Sequence, residues 1–527
     1  MSEKPRNWSE NLDDTLDDNV QRMNTAVGAA LGEMVRTTIG PRGMDKLLVD
    51  SDGMVLVTND GATILGELDI ELDVIPAGRL IIELATEQNE TIGDGATTTV
   101  LLAGELLSKA DDLLNRGVHP TTIARGYHLA AEKFRETVAT SATTITVDDI
   151  ETIEQIAQVA ISGTGSSIND RILAERVIDA VQVLTSNGTI CIEDLLVRKV
   201  VGGTIGNSTI IKGFLLDQEP IHVNMPKQLE PARIVCLQAD LKVKETKSDL
   251  GELVVRTATE HHEFRKYENG SLLAMVHAIE DSGANVVFTT EGIDEKAQRW
   301  LADRGILAVQ RVSTSDLKLV SRATDAMVAT DIESIETSDL GTAALVEQRD
   351  YGGDNMLVVK TGEESTHVTL VLRGGPEQVL DEMERAARNG LASVRAVYRD
   401  TRIVPGGGAL EVESALTLRE YADSLNGQEQ LVARAFAEAL QIVPRTLAEN
   451  TGLDPLDTLI ELRRQHSMGK SNSGVDAVFG QIRNMTEAEV IEPALVKEQL
   501  VVNTVEVVNR ILTIDDILTA RDSDDFN

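Results

Sequence analysis

The sequence predicts a multidomain chain of mixed class, α+β at its two ends and α/β in its middle. Three observations carry this. Apolar residues recur at helical spacing through most of residues 20–141 and again from about 409 onward. Four short apolar runs lie between residues 234 and 329, and helical patterns separate the later three. The first and last thirds are therefore alike in class, as in a chain that leaves one domain, builds another and returns.

Taken in order, Val27, Ala30, Leu31, Met34 and Val35 mark a first helix. It stops in Thr37-Thr38-Ile39-Gly40-Pro41-Arg42-Gly43, where the backbone and Arg42 either face an anion or form a plain turn. Met54-Val55-Leu56-Val57 is strand-like, and Asn59-Asp60-Gly61 reads as a tight turn, which places Asp60 at a hairpin tip. Next comes Gly93-Asp94-Gly95-Ala96-Thr97-Thr98-Thr99, followed by an apolar helical run through Leu114. A glycine-rich turn that opens a helix suits an anion, because free N–H groups and the helix dipole converge there. It suits a capped, solvated loop equally well, and no Lys follows the glycines as a Walker motif requires. Gly117 and Pro120 close this helix, and another runs from about Thr121 to Ser141.

Helical patterns from Asp148 to Val183 are interrupted at Ser162-Gly163-Thr164-Gly165. Short strands follow, Thr189 to Glu193 among them, and something different begins at Gly213. The apolar runs at Ile234–Leu237, Asn285–Thr289, Ile306–Val309 and Ala326–Ala329 read as buried strands, with helices at Asp294–Asp303 and Ser315–Thr324. The polar stretch 244–271 reads as an excursion from the surface. Its His261 and His262 are adjacent, so a helix would not present both to one metal. A strand at Leu370–Arg373 leads to a long helix, Glu377–Arg399, with Val379, Met383, Ala386, Ala387 and Leu391 inward. Val404-Pro405-Gly406-Gly407-Gly408 is a second glycine-rich loop that opens a helix, and the remainder is mainly helical.

Composition bounds function. No apolar run approaches the roughly 18–20 residues of a membrane span. The polar, acidic N-terminus is not a targeting peptide, so a cytoplasmic location is expected. Cys191 and Cys236 are isolated, without metal-ligand spacing. A net charge of −37 argues against nucleic-acid and membrane partners. Arg outnumbers Lys 33 to 16 and aromatics are 3%, an acidic, Lys-poor balance that suggests a salt-rich cytoplasm. No small-substrate motif supports a metabolic kinase.

The ordered set Thr37–Lys46, Thr58–Leu65, Gly93–Thr98, Val404–Gly408 and Ile514-Asp515-Asp516 closely resembles the group II chaperonins, the thermosome/CCT family, over essentially the whole chain. The run Gly283–Phe288, Gly292–Asp294 and Gly305–Val309 fits as well. The resemblance implies a mainly helical equatorial ATP-binding domain from residues 1–142 and 400–527. It implies a small mixed intermediate domain from 143–212 and 363–399, and an α/β apical domain at 213–362 that binds unfolded protein. The stretch 244–271 would be a helical protrusion serving as a built-in lid, so no separate cap protein is expected. Subunits would assemble into a double ring, homo- or hetero-oligomeric. By the same resemblance Gly40, Pro41, Gly43 and the loop Gly93, Asp94, Gly95, Ala96, Thr97 and Thr98 would meet the ATP phosphates. Asp94 would hold Mg²⁺, Gly407 and Gly408 would lie against the nucleoside, Glu492 would reach the ribose, and Asp60 would assist hydrolysis.

Three residues depart from the family pattern. Ala96 stands for the first Thr of Gly-Asp-Gly-Thr-Thr, Thr164 for the Lys of Thr-Gly-Lys-Gly, and Asn389 for a catalytic Asp, in Glu384-Arg385-Ala386-Ala387-Arg388-Asn389-Gly390. A carboxylate can accept the proton of the attacking water; a neutral amide orients water but is no effective base. Asp381 and Asp400 are the nearest other candidates, but the match through Arg373-Gly374-Gly375 and Glu384-Arg385 leaves no convenient gap. Retained ATP binding with slow hydrolysis is therefore expected, with a fully active subunit as the alternative.

Overall fold

The computed structural model describes residues 20–49, 53, 55–67, 76–162, 170–185, 195–242, 258–362 and 367–514. They divide into two compact units, one from residues 1–178 and 385–527 and one from 179–384. Thr164, the strand expected at 189–193 with Cys191, the excursion over 243–257, and Asp515-Asp516 lie outside the described residues, as do the side chains of His261 and His262.

The two-ended unit begins with α1 (Val20–Arg36), the hairpin β1 (Lys46–Val49) and β2 (Val55–Thr58), and α2 (Gly61–Gly66). It continues through α3 (Pro76–Thr91), α4 (Ala96–Asn115), α5 (Pro120–Ser141), β3 (Thr143–Thr144) and α6 (Ile150–Ser162). Here the expected hairpin is corrected. Asp60 is not at a hairpin tip; β2 pairs backwards with β1, and Asp60 is the N-cap of α2. Asp at a cap and Asp in a turn use the same side-chain-to-backbone bond, so the dipeptide Asp-Gly does not separate them.

The inner unit begins within α7 (Asp170–Thr185), at Asp179, and continues with β4 (Leu195–Val201), β5 (Thr209–Leu216), β6 (Gln228–Leu229), β7 (Ala232–Leu237) and α8 (Ala258–Ser282). After these come β8 (Val286–Thr289), α9 (Glu295–Asp303), β9 (Leu307–Val309), α10 (Thr314–Thr324), β10 (Val328–Ala329), β11 (Gly341–Ala343), β12 (Leu345–Asp350), β13 (Asn355–Lys360) and β14 (Val368–Gly374). Strands β10-β7-β8-β9 pair in parallel in that order, and β11 joins β7 antiparallel. Their apolar runs are continuous because both faces are covered. Ile234, Cys236, Val286 and Phe288 enter one buried cluster, while Val235, Leu237 and Val287 enter the other. A second, mixed sheet has the order β4-β14-β5-β13-β12-β6, and the change of pattern read at Gly213 falls inside β5.

Helix α11 (Glu377–Arg399) returns the chain to the two-ended unit. Met383, Ala386, Ala387 and Leu391 are buried as expected; Val379, in the first turn, is 50% exposed and does not face inward. Then follow β15 (Arg402–Pro405), α12 (Ala409–Ser424), α13 (Glu429–Ala439), α14 (Ile442–Thr451), α15 (Pro455–Ser467), β16 (Ser473–Asp476), β17 (Gln481–Asn484), β18 (Ile491–Pro493) and α16 (Ala494–Leu512). The core of this unit joins residues from both chain ends, including Leu31, Leu106, Tyr127, Phe436 and Val505. Tyr127 and Phe436 meet with ring centroids 5.6 Å apart, and the buried Tyr127 hydroxyl donates to the Leu106 carbonyl at 2.8 Å. A small sheet β18-β15-β3 ties the second glycine-rich loop to the C-terminal segment, with Val404 opposite Glu492.

Candidate functional site

Both glycine-rich loops open on one cavity of about 420 Å³ in the two-ended unit. Helix α4 is entered through Gly95 (φ 82°) and α12 through Gly408 (φ 77°), and no side chain caps either helix. A left-handed entry excludes most side chains at those positions. The uncapped first turn of α4 leaves N–H groups without an intrahelical acceptor, and Ala96, Thr97 and Thr98 line the cavity. Phosphate oxygens suit such an end.

Asp94 stands at the mouth of this turn. Its Oδ1 accepts from the Gly95 N–H at 2.6 Å and its Oδ2 from the Ser393 hydroxyl at 3.0 Å. Burial pushes the Asp94 carboxyl above its ordinary value; those two hydrogen bonds and the Lys497 charge offset part of the effect. A carboxylate held ionised against its surroundings has most to gain from a cation. Among the described residues no group of three or more His, Cys, Asp or Glu could hold a metal ion. A cation at Asp94 would thus draw its other ligands from water and phosphate oxygens, the habit of Mg²⁺ rather than of Zn²⁺ or Ca²⁺. The residues present fit that group.

Asp60 also lines the cavity. Its Oδ2 accepts from the Thr63 N–H and hydroxyl, both at 2.7 Å. The neighbouring Gly61 N–H donates to Thr97 Oγ1 at 2.9 Å, which fastens the start of α2 to the first turn of α4. Arg385 of α11 donates to Thr58 Oγ1 at 2.6 Å and Asn59 Oδ1 at 2.8 Å. Four residues beyond Arg385, Asn389 lines the cavity; four further on, Ser393 holds Asp94. The spacing of four puts the three on one helix face.

Of the residues singled out from sequence, Gly40, Pro41, Asp60, Gly93 to Thr98, Asn389, Gly407, Gly408 and Glu492 all line this cavity. Gly43 does not. Its N–H donates to the Gly40 carbonyl at 2.8 Å, closing the turn beneath Pro41. Arg42 turns away from any anion, donating to the Val478 carbonyl at 2.7 Å and the Thr451 carbonyl at 3.3 Å. Sequence reasoning missed Ser393, Lys497, the α6 amides Gln155 and Gln158, and the rim residues Val478 and Phe479. Lys497 was findable as a Lys five residues after Glu492; Ser393 was findable as the next turn after Asn389.

The sequence over residues 31–522 matches the TCP-1/cpn60 chaperonin family. The chain belongs to that family. Within it the likeness is to the group II branch. A thermosome subunit 1 of Haloferax volcanii is 46% identical over 508 residues, 96% of this chain and 90% of that protein. A thermosome subunit alpha of Halobacterium salinarum is 45% identical over 98% of this chain and 91% of its own length. The solved open-state monomer of a group II chaperonin from Methanococcoides burtonii is 39% identical, with a TM-score of 0.61, and covers 80% of this chain and all of that one. The multidomain α+β and α/β fold is thus the chaperonin fold. No described helix of this chaperonin is long and apolar enough to cross a membrane.

Proposed function

We propose that this chaperonin subunit binds Mg²⁺–ATP in the cavity between its two glycine-rich loops and hydrolyses it slowly, within a ring that folds other proteins. The α4 N-terminus, Thr97 and Thr98 hold phosphate oxygens; Asp94 holds the metal, which supplies charge neutralisation at the phosphates. Gly407 and Gly408 lie against the nucleoside and Glu492 against the ribose. The observation that carries slow hydrolysis is Asn389. It lines the cavity from α11, and its side chain makes no hydrogen bond among the described residues, so it is free to orient a water. It cannot take that water's proton. Loss of a general base costs on the order of 10²–10⁴-fold in rate.

The wider reading follows the family. Residues 1–142 and 400–527 act as the equatorial domain, 143–212 and 363–399 as the intermediate domain, and 213–362 as the apical domain. The stretch 244–271 closes the chamber without a cap protein. Clients are unfolded or partly folded proteins, neighbours are other chaperonin subunits in a double ring, and the setting is a salt-rich cytoplasm.

A second reading, brisk hydrolysis, is favoured by Asp60. Its Oδ1 has no hydrogen-bond partner among the described residues, and the side chain lines the same cavity. Calorimetric ATP binding and steady-state phosphate release, measured on the same preparation in molar salt, separate the two. Binding with turnover well below that of a relative carrying Asp at this position supports the first; matched turnover supports the second.

A further inference from the structure

A buried ion cluster stands behind Glu492. Lys497, in the first turn of α16, is 6% exposed, and its Nζ lies 2.7 Å from Glu492 Oε2 and 2.9 Å from Glu411 Oε1. Glu411 is 4% exposed, and its Oε2 is buried without a hydrogen-bond partner. One cation therefore serves two carboxylates, Glu411 buried and Glu492 with 23% of its side chain exposed on the cavity wall. Such clusters are poor devices for stability, since apolar residues of the same shape often do as well or better. The geometry around Glu492 offers a different reason. Its Oε1 makes no hydrogen bond among the described residues. A Cβ on Gly406 would stand 2.7 Å from that oxygen, so the absence of a side chain there leaves it room. Glu492 also lies on β18, held opposite Val404 of β15. One carboxylate oxygen is thus tied down, and the other is left beside the second glycine-rich loop on the cavity wall.

We propose that Lys497, braced by Glu411, is a positioning residue that fixes Glu492 Oε1 as the acceptor for the sugar hydroxyls of a bound ribonucleotide, and so sets a preference for ribo- over deoxyribonucleotides. This role presupposes that the cavity is the ATP site. An acceptor pinned in place cannot turn to water when a sugar hydroxyl is missing, so the deoxy analogue leaves a desolvated carboxylate unpaired. An acceptor free to swing finds another partner, and the discrimination fades. Among the described residues Lys497 makes no hydrogen bond to α4, but its charge acts on the Asp94 carboxyl, so its loss should lower the affinity for every anionic ligand and only the ratio of ATP to the deoxy analogues isolates the sugar.

The test is equilibrium binding to the full-length chain of Mg²⁺–ATP, Mg²⁺–2′-deoxy-ATP, Mg²⁺–3′-deoxy-ATP and inorganic tripolyphosphate. The variants are Lys497→Met, Lys497→Arg, Glu492→Ala, and the double variant Glu411→Gln with Lys497→Met. The double variant removes one carboxylate along with the cation, which protects folding if Lys497→Met alone leaves too much buried charge. The unaltered chain should bind ATP roughly tenfold or more tighter than the weaker deoxy analogue. Lys497→Met, or the double variant, should bring that ratio close to the Glu492→Ala value, beyond whatever loss tripolyphosphate shows, and Lys497→Arg should keep most of the ratio. A ratio undiminished in the double variant overturns the proposal. So does a parallel loss for all four ligands, which would mark Lys497 as merely structural. An unaltered chain that binds no ATP overturns the reading of the cavity itself.

Discussion

Gly93 packs against Ala392 of helix α11, and its replacement by alanine separates two costs. Its φ is 80°, and a Cβ would stand 2.2 Å from the Cβ of Ala392. The left-handed backbone costs an L-residue about 1–2 kcal/mol. The overlap forces a shift in a packed site, because Ala392 is 7% exposed, and such overpacking costs about 1–3 kcal/mol. Gly93→Ala should therefore destabilise the two-ended unit by about 2–5 kcal/mol. Ala392→Gly alone costs about 1 kcal/mol, the penalty of glycine inside a helix. The double variant removes the overlap but keeps the backbone strain. It should be more stable than the sum of the single losses by about 1–3 kcal/mol. Scanning calorimetry of the four proteins at one scan rate and one salt concentration reads this, at about 1–2 °C per kcal/mol for a unit of this size. Losses that add within about 0.5 kcal/mol would refute the contact between loop and helix. Rescue should also restore nucleotide affinity, because Ser393, one residue after Ala392, holds Asp94.

Three further outcomes follow from the site and the core. Asp94→Asn should weaken Mg²⁺-dependent ATP binding about tenfold or more while raising the melting temperature of the ligand-free protein at neutral pH. The Asp94 carboxyl has its pKa raised on folding by burial, so the ionised form is a cost that grows as pH climbs from the ordinary Asp value through the raised one. An unchanged or lower melting temperature would contradict this. Asp60→Ala should cost about 0.5–2 kcal/mol through loss of the α2 cap, and Asp60→Asn should restore the stability. If Asn restores turnover too, Asp60 is a cap and nothing more. The Cys236 thiol, pushed up to about 12 by burial, should resist alkylation at pH 8 in the native protein and react on unfolding, as mass spectrometry of its peptide would read.

Much of the fold was legible because its signals are local. The continuous runs at Ile234–Leu237 and Asn285–Thr289 announce a strand covered on both faces, and the bounds of α11 fall where the periodicity puts them. What failed was chemistry shared by two local structures. Asn-Asp-Gly serves a hairpin turn and a helix cap alike, and only the pairing of β2 with β1 decides between them. Val379 has the right period but lies in the first turn of its helix, ahead of the buried stripe. The cavity was legible as separate loops whose meeting is a tertiary fact. Gly40, Asp94, Asn389 and Gly408 come from four distant segments, and no periodicity joins them. Ser393 escaped for the same reason, since Asp94 lies 299 residues away, and Lys497, though near Glu492 in sequence, is fixed by Glu411 86 residues away.

Slow turnover at an intact nucleotide site is the centre of this account, and Asn389→Asp tests it most directly. The variant restores a carboxylate on the α11 face that already carries Arg385 and Ser393, without touching the loops that hold phosphate. Phosphate release under saturating Mg²⁺–ATP should rise at least tenfold, toward the 10²–10⁴-fold that a general base supplies, with ATP affinity changed by no more than a few-fold. An unaltered chain that already turns over as fast as Asn389→Asp would contradict the account.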